Sequence, residues 1–161
     1  MKTILGLDVG DRRIGVAISD ELGITARGLF TLERSNIKAD TQKILETVVE
    51  NDCSTVVIGL PLNLSGEDSV QTTKVRAFAQ KLENKFLSNA MQDVRVELYD
   101  ERFSTVAAEQ TMKEMGVGRT KMKEARTSGV VDRQAAAVIL GEWLSENNNG
   151  CEKTTSSMIG L

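Results

Sequence analysis

The sequence predicts an α/β fold: a mixed five-stranded sheet, its first three strands antiparallel, flanked by helices in the order βββαβαβαα. Three observations carry this expectation. The chain opens with two short runs rich in Ile, Leu and Val, separated only by a tight turn, as consecutive antiparallel strands are. Further on, short apolar runs alternate with stretches of helical periodicity, the pattern of parallel βαβ crossovers. The length of 161 residues suits one domain, large enough to bury roughly two-thirds of its unfolded surface in a single core.

Residues 3–9 (TILGLDV) and 13–19 (RIGVAIS) read as strands joined through Gly10 and Asp11, and 26–33 (ARGLFTLE) completes an antiparallel meander. Over 37–51, Ile37, Ile44, Leu45, Val48 and Val49 recur at helical spacing and predict an amphipathic helix. Residues 55–60 (TVVIGL) form the unbroken apolar run of a strand buried on both faces. Pro61 ends it, and PLNLSGED is a polar loop. A second helix spans 69–87, with Val75, Phe78, Leu82 and Phe86 on one face; 94–99 (VRVELY) then alternates as a strand. A third helix starts at Ser104 or Thr105, turns Ala108, Met112 and Met115 inward, and ends at Gly116 and Gly118. Residues 131–145 (VDRQAAAVILGEWLS) make the last helix. Residues 1–146 thus form one domain, and the polar stretch 147–161 is expected to be a disordered tail.

Composition bounds the chemistry. Apolar residues make up 40% and charged residues 27% of the chain, ordinary values for a globular protein. Histidine is absent, which excludes Ser-His-Asp and Cys-His hydrolases, His-ligated zinc and His proton shuttles. Reactivity must come from carboxylates, Lys, Tyr, hydroxyls, the two cysteines, or a metal held by oxygen. Cys53 and Cys151 form no CxxC pair and are too few for a disulfide framework, which fits a reduced, cytoplasmic protein. The opening MKTILGLDVGD has no long apolar segment of a signal peptide, and no window reaches the ~20 apolar residues of a membrane span.

Three acidic positions stand out. Asp8 interrupts an apolar strand, where a carboxylate is costly unless paired or bound to metal; it also reads as a strand-end residue capping the turn. Asp100 and Glu101 directly follow the strand VRVELY, where a solvated charge cluster or a helix cap is the alternative. Asp132 opens an otherwise apolar helix, a common place for an acid that complements the helix dipole. Ligands of α/β sheets collect at the carboxyl ends of strands, where Asp8 and the Asp100-Glu101 pair fall. Three carboxylates without histidine make a hard oxygen site suited to Mg²⁺ or Mn²⁺. Such ions promote phosphodiester hydrolysis, preferably as a pair roughly 3.5–4 Å apart.

Basic residues point to a phosphate partner despite a formal net charge of −3, since binding follows local patches more than totals. Residues 113–133 hold Lys113, Arg119, Lys121, Lys123, Arg126 and Arg133 against Glu114, Glu124 and Asp132, a local charge of +3. Arg12, Arg13 and Arg102 lie nearer the acids. With only one Trp, one Tyr and four Phe, a stacking platform for single strands is not expected, and contact with the backbone of a structured nucleic acid fits better.

Four blocks, GLDVGDRRIGVAISD, VVIGLPLNLSGE, YDERFST and VVDRQAAAVIL, resemble the signature motifs of the YqgF family in the family's own order, over residues 2–145. These are RNase H-like proteins described as Holliday junction resolvases and, in bacteria, as pre-16S rRNA nucleases. The resemblance implies an RNase H-like fold and a nuclease dependent on Mg²⁺ or Mn²⁺, with two ions, acting on structured RNA or branched DNA. It implies that Asp8, Glu101 and Asp132 hold the metal and that water is the nucleophile. The neighbouring acid Asp100 stays a catalytic candidate, because the sequence leaves open which of the pair points into the site; the longer reach favours Glu101. Gly10, Arg12, Arg102, Ser104, Thr105, Arg119, Lys121, Lys123 and Arg126 are the expected nucleic-acid contacts. In related junction resolvases the middle acid ends the fourth strand, where this chain has Ile58-Gly59-Leu60. Asp11, in the turn, departs from the small or uncharged residue common there.

Two other readings compete. A nucleotide-binding domain of the actin/hexokinase type also opens with an Asp-x-Gly hairpin, but this chain has no second such hairpin and no GxxxxGK[ST]. A non-catalytic module would hold nucleic acid with the same fold and basic loop.

Overall fold

The computed structural model describes residues 2–62, 68–100 and 130–159, with side chains in the last helix over 133–148. The strands are β1 (Thr3–Val9), β2 (Arg13–Ser19), β3 (Ala26–Glu33), β4 (Cys53–Leu60) and β5 (Arg95–Asp100); the helices are α1 (Ile37–Glu50), α2 (Val70–Ser88) and α3 (Val130–Ile159). They form one five-stranded sheet in the order β3-β2-β1-β4-β5. The β1–β2 and β2–β3 pairs are antiparallel, whereas β1–β4 and β4–β5 are parallel. This is the predicted mixed sheet. The helix expected from Ser104 or Thr105 lies outside the described residues.

Period-two alternation divides the sheet into two faces. Leu5, Leu7 and Val9 of β1, Ile14, Val16 and Ile18 of β2, and Val56, Ile58 and Leu60 of β4 enter the main core beneath α1 and α2. Ala17 and Val57 face the other way, against Ala136, Ile139, Leu140 and Leu144 of α3. On that side α3 lies close to the sheet because two strand positions lack side chains. A Cβ at Gly6 would stand 2.8 Å from Leu140 Cβ and 3.2 Å from the Ala136 carbonyl oxygen, and one at Gly28 would stand 3.1 Å from Arg133 Cβ.

Both helices of the main core begin on a cap. Asn36 accepts the Ala39 N–H at 2.8 Å at the start of α1, and Ser69 with Thr72 forms a reciprocal capping box at the start of α2; each is worth ~1 kcal/mol. Thr72 also donates its hydroxyl to the Pro61 carbonyl, tying α2 to the end of β4.

Two expectations differ from the structure. Val49, read as inward-facing, is 60% exposed, and the buried stripe of α1 runs instead through Asp40, Thr41, Ile44, Leu45, Thr47 and Val48. At about 100° per residue those positions centre between Ile44 and Val48, and Val49 falls about 120° from that centre, toward solvent. The other difference concerns 147–161, expected to be a disordered tail: α3 continues through Ile159. Adding residues to an existing helix avoids the cost of nucleation, no proline interrupts this stretch, and the Asn148 amide donates to the Gly23 carbonyl at 3.1 Å.

Candidate active site

Asp8 is the penultimate residue of β1. Its neighbours Leu7 and Val9 are in the main core, so alternation turns Asp8 to the α3 face, where it is half-buried. On β2 it pairs with Gly15, and Gly15 pairs with Thr31 of β3, forming one row across three strands. On its other side Leu7 pairs with Ile58, so the next residue of β4, Gly59, comes beside Asp8. Gly59 in turn pairs with Tyr99 of β5. The β4 position beside Asp8 therefore has no side chain.

The last helix approaches the same place. Ala136 and Leu140 meet Gly6. From Gly6 to Asp8 the strand advances ~6.6 Å, and from Ala136 back to Asp132 the helix advances ~6 Å. Both steps lead to the same end of the sheet, because α3 runs opposite to β1. Asn148, further along α3, binds the carbonyl of Gly23 in the β2–β3 turn, where β1 begins. The backbone thus brings position 132, in the first turn of α3, level with Asp8.

Asp100 falls elsewhere. It ends β5 opposite Leu60, a residue of the main core. Three positions apart on β5, Val96 packs on that core, whereas Tyr99 packs beneath α3. Asp100 therefore shares the α1/α2 face with Val96, opposite to Asp8. Glu101, Arg102, Ser104, Thr105, Arg119, Lys121, Lys123 and Arg126 lie outside the described residues. Among the described residues no three Cys, Asp or Glu side chains gather to hold a metal ion. Asp8 is the one expected ligand whose side chain is described, and with no histidine in the chain the acids at this end of the sheet offer oxygen alone, which fits a hard divalent cation.

In the β1–β2 turn the Gly10 N–H donates to the Arg13 carbonyl at 2.8 Å; a Cβ at Gly10 would stand 2.9 Å from that oxygen, so glycine is needed for the turn to close. Arg12 is exposed in the turn. Arg13 stands two positions from Gly15 and opposite Glu33, which places it, and not its neighbour Ile14, on the face of Asp8. The alternation of RIGVAIS carries that signal. Asp11 pairs with Lys74 of α2 at 3.2 Å, both side chains more than half exposed. Arg34 carries no signal in the sequence; its guanidinium donates to the Gly10 carbonyl at 2.9 Å and to Asp40 at 3.1 Å.

Beyond Gly59, Tyr99 joins β5 to α3. Its hydroxyl donates to Glu146 at 3.1 Å and Glu142 at 3.3 Å. Burial, then the two carboxylates, push its pKa far above the ordinary value, so it stays a neutral donor and is unsuited to act as a base. Trp143 Nε1 donates to Glu97 at 3.1 Å and makes a second tie.

A five-stranded sheet in this order, with an acid near the end of the first strand and a helix returning across its face to the same end, defines the RNase H-like fold. A family model described as "RuvX: Holliday junction resolvase" matches residues 2–146. A Koribacter versatilis protein named "Putative pre-16S rRNA nuclease" is 42% identical over 154 residues, covering 96% of this chain and 94% of that one. A protein of the same name from Clostridioides difficile is 40% identical over 141 residues, with coverage of 88% and 92%. Among solved structures, T. thermophilus RuvC in complex with a Holliday junction substrate matches at a TM-score of 0.53 and 12% identity, covering 91% of this chain and 96% of that one. The yeast mitochondrial Holliday junction resolvase Ydc2 matches at 0.52 and 11% identity, with coverage of 94% and 83%; both likenesses show the shared fold. The chain belongs to the RuvX (YqgF) Holliday junction resolvase family and is a hydrolase acting on phosphodiester bonds. No helix among the described residues is long and apolar enough to cross a membrane.

Proposed function

We propose that the chain cleaves structured nucleic acid in the cytoplasm, with precursor 16S rRNA as the favoured substrate, and that Asp8, Glu101 and Asp132 hold Mg²⁺ or Mn²⁺ for that reaction. The observation that carries this reading is the half-buried Asp8 on the α3 face with helix position 132 level beside it. The relatives named for pre-16S rRNA support the substrate, and the family description keeps the four-way DNA junction as the second reading.

Strand alternation argues against Asp100 as the middle ligand, since it faces the main core side, and leaves Glu101 as our choice from the pair. Two bound ions would supply Lewis acidity, lowering the pKa of water and stabilising the leaving oxygen. The three carboxylates bind and orient the ions, and Asp8 does so from a rigid strand, which limits its reorganisation. Carboxylates alone repel a phosphodiester; Arg13, on the same face, and Arg12 and Arg102 offset that repulsion. Arg119, Lys121, Lys123 and Arg126, with Ser104 and Thr105, would hold the backbone of the substrate, and binding should weaken with salt.

The test uses purified protein with Mn²⁺ or Mg²⁺ against a precursor 16S rRNA and a four-way junction. Asp8→Asn and Glu101→Gln should abolish cleavage while folding and substrate binding persist, whereas Asp100→Asn should cleave like the wild type. Undiminished cleavage by Asp8→Asn would sink the reading. Binding that survives EDTA, with no product from either substrate, would leave the non-catalytic module in its place.

A further inference from the structure

The turn that follows Asp8 is held from the opposite side of the sheet. Arg34, one residue beyond β3, donates from Nη1 to the Gly10 carbonyl at 2.9 Å and from Nε to Asp40 Oδ2 at 3.1 Å. Asp40 is 2% exposed, and its other oxygen accepts the Ser35 N–H at 3.2 Å. The guanidinium lies over the Phe78 ring, 5.3 Å from its centroid, which adds a cation–π contact from α2. The backbone N–H of Arg34 donates to the Arg12 carbonyl at 2.9 Å. One peptide before Gly10, the Val9 carbonyl accepts from Gln71 Nε2 of α2 at 3.1 Å. Both carbonyls that follow Asp8 in sequence are therefore bound by side chains rooted outside the β1–β2 hairpin.

Turn closure does not call for this arrangement, since the Gly10 N–H bond to Arg13 already closes the hairpin. Nor is a buried ion pair an efficient source of stability, because desolvation offsets most of its attraction. What the arrangement supplies is direction. A planar guanidinium with two fixed acceptors fixes the plane of the Gly10 peptide, and Gln71 does the same for Val9. Those two peptides set how Asp8 leaves the strand and how Arg13 enters the next.

We propose that Arg34, anchored by Asp40 and assisted by Gln71, is a positioning residue that aims the Asp8 carboxylate and so sets the affinity for divalent cation. The inference rests on the reading of Asp8 as a metal ligand. Outer contacts of this kind alter metal affinity by about 10–100-fold when removed, because a ligand displaced by a fraction of an ångström no longer completes the coordination shell.

The experiment measures Mn²⁺ binding to the full chain by loss of the free-ion EPR signal, beside thermal unfolding, for Arg34→Lys, Gln71→Met and Asp8→Asn. Lysine keeps a cation for Asp40 but cannot also bind the Gly10 carbonyl with a planar fork. Arg34→Lys should bind Mn²⁺ about 10-fold or more weakly than the wild type, and Gln71→Met less strongly affected but in the same direction. Cleavage by both should recover at saturating Mn²⁺, which a merely destabilised protein would not show. Wild-type Mn²⁺ affinity in Arg34→Lys, with binding lost in Asp8→Asn, overturns the proposal and leaves the parent reading standing. If Arg34→Lys does not fold, Gln71→Met decides on the same criterion. Undiminished Mn²⁺ binding by Asp8→Asn overturns the parent reading, and the positioning role with it.

Discussion

The two faces of the sheet are built on opposite principles. Beneath α1 and α2 the core is filled by bulk: Val75, Phe78, Leu82 and Phe86 of α2 are buried against Leu5, Leu7 and Ile58 of the strands. Beneath α3 the contacts are small, with Gly6, Gly28 and Ala17 in the strands and Ala136 in the helix. Polar ties complete them, from Tyr99, Trp143 and Asn148. Apolar burial grows with area, so the first face supplies most of the folding free energy. The second supplies closeness: absent side chains let a helix lie down on the sheet and bring position 132 level with Asp8. Stability and chemistry are thus separated across the sheet and meet at the Gly10 turn, where Arg34 and Gln71 reach from the stable face to the strand end that bears the acid.

Truncation on the filled face offers the largest expected effect on stability. Phe86, 1% exposed, lies at the end of α2 away from Gln71; Phe86→Ala should cost ~3–5 kcal/mol, read as a lower urea midpoint. Cleavage per folded molecule should remain that of the wild type. A specific loss of activity in the folded fraction would break the separation between the faces.

Overpacking on the other face should do the reverse. At Gly6 a new methyl would meet Leu140 Cβ at 2.8 Å and the Ala136 carbonyl at 3.2 Å, and neither is the free end of a flexible side chain, so the helix must shift. Gly6→Ala should cost only ~1–3 kcal/mol, yet a displacement of ~1 Å at a catalytic group can lower the rate on the order of 100-fold. Cleavage should therefore fall much further than stability. Equal losses in both would mean that closeness on this face serves packing alone.

Most of the fold was legible because it is local. The limits of β1, β2 and β3 follow from runs of alternating or apolar residues bounded by Gly10-Asp11 and by polar turns, and the structure keeps those limits. Asp8 was legible as a charge out of place in an apolar strand. The face of Asp100 was available too, in the alternation of RVELYD, but reading it requires knowing which side α3 covers. The same holds for Arg13 against Arg12. Arg34 and Asp40 were not legible: six positions apart across the β3–α1 corner, they gain meaning only when that corner folds onto the Gly10 turn. The helical course beyond residue 146 was hidden because polar composition reports poor burial and says little about continuation of a helix already formed.

The smallest expected effect tests the polar ties. Tyr99→Phe removes two hydrogen bonds to Glu142 and Glu146 at the β5–α3 contact, worth ~1 kcal/mol. Its pH dependence identifies it. The folded-state pKa is raised above 10.0 by burial and the two carboxylates. The phenol is neutral in both states below that pH, and its contribution is fully present there. As pH rises past 10.0 the unfolded chain releases the proton first, so the contribution shrinks toward the higher folded-state pKa. The stability gap between wild type and Tyr99→Phe should be constant below pH ~10 and narrow above it. Tyr99 is the chain's only tyrosine, so phenolate absorbance reports this residue alone, and it should resist ionisation until well beyond the ordinary range. Ionisation of the folded protein at the ordinary tyrosine value, or a gap indifferent to pH, would show that the two glutamates do not hold Tyr99. The alignment of α3 would then rest on the small residues and on the ties made by Trp143 and Asn148.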